Sequence, residues 1–139
     1  MTCAFCSICA GEEDAEIVDE TDETLAFAPL DLISEGHVLV IPKDHYETIF
    51  DIPDPILCAV VKHTKAIAEQ LKAHDVDGVN LLHDSGEAAD QSIPHFHLHL
   101  VPRRTGDEVD PWPNSGYEES NFEQTYERLR NVLNHEVHR

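Results

Sequence analysis

Apolar residues recur along this chain with two different periods, and the changes of period mark its elements. Glu16-Ile-Val-Asp and Thr24-Leu-Ala-Phe-Ala each read as a short strand, joined by the polar turn Asp19 to Glu23. Pro29 ends the second strand, and Asp31 to Gly36 forms a loop before the strongly apolar strand His37-Val-Leu-Val-Ile-Pro42. Asp54 as N-cap and Pro55 at the first position open the one long helix, with Ile56, Val60, Ile67 and Leu71 at helical spacing to about Ala73. On this reading Lys62 and His63 lie on its solvated side and Cys58 is a small core residue. Gly78 to His83 is the next strand, Asp84 to Gln91 a polar loop, and Pro94 to Val101 a last strand paired with it as a hairpin. Residues 103–119 are irregular, residues 120–134 helical, and residues 3–10 a short helical turn. Strands outside one long helix predict an α+β domain around an antiparallel sheet.

The last strand alternates chemistry as well as polarity. His95, His97 and His99 share one face, while Phe96, Leu98 and Leu100 share the other. At about 3.4 Å per residue the outer two histidines stand roughly 14 Å apart, so a single ion would not suit all three. The spacing favours imidazoles with divided roles, against a histidine face that is merely solvated.

Composition adds three constraints. The chain has 139 residues, a length that suits one domain with a core of its own. Acidic residues number 28 against 9 basic, a formal net charge of -19, which repels nucleic acid and anionic membranes. Charge of this size is tolerated where salt screens it, so a halophilic, haloarchaeal source is expected, with an ordinary acidic protein as the alternative. No run approaches the ~20 apolar residues of a membrane span and no signal-peptide pattern is present, so a cytoplasmic protein is expected. Of four cysteines, Cys3, Cys6 and Cys9 crowd together while Cys58 stands apart, which suits a metal or redox pair better than a disulfide framework.

Taken together, Gly36-His37-Val-Leu-Val-Ile-Pro-Lys-Asp-His45, Gly78-Val-Asn80 and Gln91-Ser-Ile-Pro-His95-Phe-His97-Leu-His99-Leu-Val-Pro-Arg103 resemble the histidine triad (HIT) superfamily. Cys3-x-x-Cys6-x-Ile8 followed by Ala10-Gly11-Glu12 is similar to its zinc-bearing prokaryotic branch. The resemblance implies a single HIT domain over 1–139, with a core at 3–103 and a C-terminal extension at 104–139. It also implies a five-stranded antiparallel sheet with one long helix and a C-terminal helix, assembled as a homodimer. The implied activity is hydrolysis or transfer at a nucleoside phosphate, on adenylyl phosphoramidates, aminoacyl adenylates or dinucleoside polyphosphates, through a covalent nucleotidyl-histidine.

The implied roles fall on named residues. His97 would be the nucleophile, oriented by the main-chain carbonyl of His95. His99 would donate to the phosphate, and His37 would position the triad. Phe5, Ile8, Leu25, Phe27 and Leu30 would surround a purine base, though each taken alone reads more readily as core. Asn80, Gln91 and Ser92 would contact phosphate or leaving group. A structural zinc ion would be held by Cys3, Cys6, His45 and His95, with Cys9 as a competing thiol.

Three positions depart from the family pattern. Pro29 stands where a ribose-binding Asp is usual, leaving Asp31 as the candidate. Asp84 stands where an amide is common near the phosphate, and Asp90 replaces a glycine. Two other readings follow: a nucleotide-binding regulatory module without turnover, and a metal-storage protein that takes several ions. Trp112 and Arg103, in the tail, are candidates to line a partner chain's site.

Overall fold

The computed structural model describes residues 3–112 and 115–136, with side chains to residue 134. The outermost parts of the expected 1–139 span, and residues 113 and 114 within it, lie outside the described residues. Five antiparallel strands form one sheet in the order β1-β2-β3-β5-β4. They are β1 (Ile17–Glu20), β2 (Thr24–Phe27), β3 (Val38–Pro42), β4 (Gly78–Leu82) and β5 (Leu98–Arg103). Helix α1 (Ala4–Cys9) precedes the sheet, α2 (Asp54–Lys72) joins β3 to β4, and α3 (Phe122–Glu136) follows β5. The α+β class and five-stranded architecture are those expected. No helix among the described residues is long and apolar enough to cross a membrane.

Both faces of the central strands are covered, which is why β2 and β3 are buried at every position. On one face Ala26, Val38, Val40, Phe96 and Leu100 pack with Ile52 and Val60, and Ile56, Leu57, Ile67 and Leu71 close that layer. On the other face Leu25, Phe27, Leu39 and Ile41 pack with Phe5 of α1, and Ile8, Cys9 and Ile93 surround them. Each large side chain fully buried in these layers contributes roughly 1.5–3 kcal/mol. The short N-terminal helix therefore roofs the face that carries the histidines.

Four local expectations are corrected. Pro53, not Asp54, is the N-cap of α2, and Asp54 stands in the first turn, where its charge complements the helix dipole. His63 is buried, at 5% exposure, because it lies three residues after Val60 and four before Ile67, on the apolar stripe. Cys58 is exposed, not core, on the side of α2 that carries Lys62 and Lys65. The last strand begins at Leu98, so His95 and His97 lie in the segment leading into β5 rather than in its ladder.

Beyond β5 the chain is pinned by one cation. Arg103 donates to both carboxylate oxygens of Asp107, to Asn80 Oδ1 at 2.9 Å and to the Val109 carbonyl at 2.6 Å. This clamp holds the stretch that brings Pro111 and Trp112 to the end of β4, where both line a cavity with Leu81 and Leu82. Farther on, α3 presents Phe122, Tyr126, Leu129 and Leu133 exposed.

Candidate functional site

The site forms where β5 meets its lead-in segment. Alternation sends Phe96 and Leu100 into the α2 layer and the three imidazoles toward α1. The Phe5 ring meets His97 edge-on at 5.3 Å and His95 at 5.9 Å, and the rings of His97 and His99 are 5.2 Å apart.

Hydrogen bonds fix the tautomer of each ring. His97 Nδ1 lies 2.7 Å from the His95 carbonyl, which can only accept, so Nδ1 carries the proton and Nε2 holds a free lone pair. His37 Nδ1 accepts from the Ile33 N–H at 3.0 Å, so its proton sits on Nε2 and is donated to His99 Nδ1, also at 3.0 Å. His99 therefore carries its own proton on Nε2. Electrostatics keeps these rings neutral. Burial pushes His37 and His97 below the ordinary imidazole value, and for His97 the His95 carbonyl opposes the shift only in part. His99 falls to about 4, through burial first and then the neighbouring His97, His37 and His83 rings.

His95 serves another centre. Its Nε2 donates to the Pro42 carbonyl at 2.8 Å, leaving Nδ1 at 3.3 Å from Cys3 Sγ and 3.5 Å from Cys6 Sγ. His45 Nδ1 is 3.3 Å from Cys6 Sγ, and the four ligand atoms all lie within 4.8 Å of one another. A tetrahedral ion with bonds near 2.3 Å to sulfur and 2.0 Å to nitrogen spaces its ligands by roughly 3.3–3.8 Å. Cys3, Cys6, His45 and His95 thus fit zinc in donor type, and their three Cys–His contacts of 3.3 to 3.5 Å match that spacing. The Pro42 carbonyl supplies the outer hydrogen bond that fixes a ligating imidazole. Cys9 is outside the quartet and packs with Phe5 and Ile41. Where a storage protein needs several such groups, the described residues gather this one.

The remaining sequence candidates divide. Phe5, Leu25 and Phe27 are buried in the layer under α1, with Ile8 half-buried beside them. Leu30 is fully exposed, and Asp31 is exposed in the same loop. Gln91 is spent on backbone groups: Oε1 accepts from the Gly86 N–H, and Nε2 donates to the carbonyls of Ile93 and, across to the segment before α2, Glu47. Asn80 accepts from Arg103, and Ser92 is exposed. Asp84 lies on the wall of a cavity of about 510 Å³ that His99 also lines.

One residue of this site was not among the sequence candidates. His83 Nδ1 donates to the His97 carbonyl at 2.9 Å, its ring stacks on Phe96 at 4.3 Å, and Nε2 meets Ser85 Oγ. The β4–β5 ladder ends at Leu82 opposite His99, short of His97, and the His83 side chain supplies a donor just past that point. A histidine at the end of the hairpin's first strand was the available signal.

Comparison with known proteins returns one family. The HIT domain matches residues 10–106. An uncharacterized HIT-like protein of Methanocaldococcus jannaschii is 41% identical over 105 residues, 76% of this chain and 81% of the relative. An adenosine 5'-monophosphoramidase of Candida albicans is 32% identical over 140 residues, covering 95% and 91%. An adenylylsulfatase of Arabidopsis thaliana is 37% identical over 106 residues, covering 76% and 54%. Among solved structures, a HIT family protein from Bacillus anthracis superposes with TM-score 0.76 at 33% identity, covering 94% and 96%. A zinc-bound histidine triad protein from Mycobacterium smegmatis does so with TM-score 0.76 at 31% identity, covering 97% and 95%.

Proposed function

The chain belongs to the HIT domain family, and from that premise we propose that it is a hydrolase acting at a nucleoside phosphate, with His97 as its nucleophile. The single observation that carries this reading is the 2.7 Å bond from His97 Nδ1–H to the His95 carbonyl, which leaves Nε2 unprotonated beside His99. Relatives named as an adenosine 5'-monophosphoramidase and an adenylylsulfatase support adenylyl compounds as substrates, with aminoacyl adenylates and dinucleoside polyphosphates in the same class.

The steps follow from the protonation pattern. His97 Nε2 attacks phosphorus, forming a nucleotidyl-imidazole, and the leaving group departs with the electron pair of its former bond to phosphorus. An amine leaving group takes its proton from solvent. Water then attacks the intermediate, the bond from phosphorus to Nε2 breaks, and the nucleoside monophosphate leaves as one proton returns to solvent. His99 Nε2–H donates to the phosphate oxygens as their charge grows, and the Ile33–His37–His99 chain keeps that proton directed outward. Phe5, Ile8, Leu25 and Phe27 would border a purine base. Asn80 and Ser92 would lie toward the phosphate, and Asp31 toward the ribose.

Cys3, Cys6, His45 and His95 would hold a structural zinc ion, tying α1 to the segment that carries His97. One equivalent of zinc by elemental analysis, and a melting temperature that drops on chelation, are the expected results. Protein purified without chelator and free of zinc would contradict the site.

Further attributes belong to the same reading. The chain acts as a single HIT domain of a homodimer, supported by exposed Val79 on the outer strand β4 and by Val61 on α2. It is a halophilic, cytoplasmic protein, supported by a net charge of -19 and by four cysteines that form no disulfide. A rise in melting temperature from dilute buffer to molar KCl tests the first of these.

Incubation with adenosine phosphoramidate tests the activity itself. Release of adenosine monophosphate that disappears in His97→Ala is the expected result. A second reading, a nucleotide-binding module without turnover, is favoured by the carboxylate of Asp84 in the cavity. Tight binding with no release by the unaltered chain would select it.

A further inference from the structure

The cavity of about 510 Å³ that opens beside His99 has an uneven lining. Ile33, Leu81 and Trp112 give it apolar and aromatic walls, and His83, Asp84 and His99 supply its polar groups. Among the described residues that line it, only Asp84 is a carboxylate, and none is a lysine or arginine. His99 is fixed as a neutral ring by His37. Both nitrogens of His83 are occupied, by the His97 carbonyl and by Ser85. The guanidinium of Arg103, on the same strand as His99, is consumed by Asp107, Asn80 and the Val109 carbonyl. Among the described residues, an anion entering this chamber meets a carboxylate and no lysine or arginine. An ammonium group on an alkyl stem meets a carboxylate to pair with, and Leu81 and Trp112 to lie against.

We propose that this chamber receives the leaving group and that Asp84 makes the site selective for nucleotidyl amides with a cationic leaving group over neutral ones, and for neutral over anionic. The chamber borders His99, the ring that faces the phosphate, so the group expelled from phosphorus is the part of the substrate that reaches it. This inference rests on the reading of His97 and His99 given above. It narrows the substrate class to phosphoramidates of amines and amino acids that carry a second positive charge, and it places sulfate and polyphosphate leaving groups among the poor substrates.

The test holds shape nearly constant and changes charge. Adenosine phosphoramidates of putrescine, butylamine and γ-aminobutyrate present an ammonium, a methyl and a carboxylate at the end of similar stems. For the unaltered chain, kcat/KM should fall in that order by roughly threefold to fivefold per step, as for a solvent-accessible charge pair. The spread should shrink as KCl is raised, because a Debye length near 3 Å at 1 M screens the pair. In Asp84→Asn the order should collapse to within about twofold. Asp84 is exposed, so this variant removes charge without opening the core.

Equal rates across the series, or the same order retained in Asp84→Asn, would overturn the inference. Should none of the three be cleaved, the hydrolase reading fails, and calorimetry on His97→Ala with the same compounds decides the chamber separately. Affinity in the order putrescine, butylamine, γ-aminobutyrate then supports it, and affinity indifferent to the terminal charge refutes it.

Discussion

His97 and His63 are buried almost equally, at 4% and 5% exposure, yet the fold holds their rings in opposite ways. His63 faces outward from α2 against the hairpin of β1 and β2. Its Nδ1 is 2.7 Å from Thr24 Oγ1 and its Nε2 is 2.8 Å from Asp19 Oδ2. Both nitrogens are taken, one of them by a carboxylate, and the ring serves as a brace between helix and hairpin. His97 has one nitrogen bonded to a neutral carbonyl and the other free. Burial alone does not make an imidazole reactive; a directed, unprotonated nitrogen with space in front of it does.

The largest effect that separates the two regions is on turnover. His97→Ala should lower kcat by on the order of a thousandfold or more, with circular dichroism and zinc content unchanged. Near-normal turnover would put His97 in the same structural class as His63.

A pH titration of stability should differ almost as strongly. His99 and His37 have depressed folded-state values, so they contribute stability in full above the unfolded value near 6.5 and lose it as the pH falls toward the folded one. For His99 that window runs from about 6.5 to about 4 and involves up to roughly 3 kcal/mol. The bond from His63 holds the Asp19 carboxyl below its usual range, so its contribution persists to lower pH and is lost below the ordinary carboxylate value near 3.9. Urea unfolding followed against pH should therefore show a decline beginning above pH 5 that weakens in His99→Asn and remains in Asp19→Asn.

His37→Leu should cost roughly tenfold to a hundredfold in kcat, because His99 loses the donor that fixes its tautomer. His37→Gln, which keeps a donor, should recover part of the loss. Activity at the level of the unaltered chain in His37→Leu would show that His99 is positioned without it. The smallest change in turnover belongs to His63→Leu: kcat within about twofold, and a loss of roughly 0.5–1.5 kcal/mol in stability from the lost bond to Thr24, whose hydroxyl keeps Thr21 as a partner. A drop in kcat larger than the drop in stability explains would join the two regions.

What the sequence disclosed follows the same division. The row His95, His97, His99 was legible because a period of two must place alternate residues on one face, and Phe96 and Leu100 confirm the other face by entering the α2 layer. The quartet was legible only through family likeness, since His45 and His95 are 50 positions apart and nothing local joins them to Cys3 and Cys6. His63 was misplaced because its polarity outweighed its position in the 56, 60, 63, 67 stripe. Its partners Asp19 and Thr24 come from a hairpin whose docking no local pattern encodes. His83 was passed over because its value depends on where the β4–β5 ladder stops. Trp112 lines a cavity of its own chain, beyond the Arg103–Asp107 clamp, a placement that no local pattern encodes.

The account stands on a nucleotidyl group resting for a time on one ring. Rapid mixing with adenosine phosphoramidate, a denaturing alkaline quench that preserves phosphorus–nitrogen bonds, and peptide mass mapping would find it. The expected result is adenosine monophosphate attached to the peptide that carries His97, rising and decaying at rates consistent with turnover. Steady release of adenosine monophosphate with no label on that ring, or with label on another residue, would contradict the account.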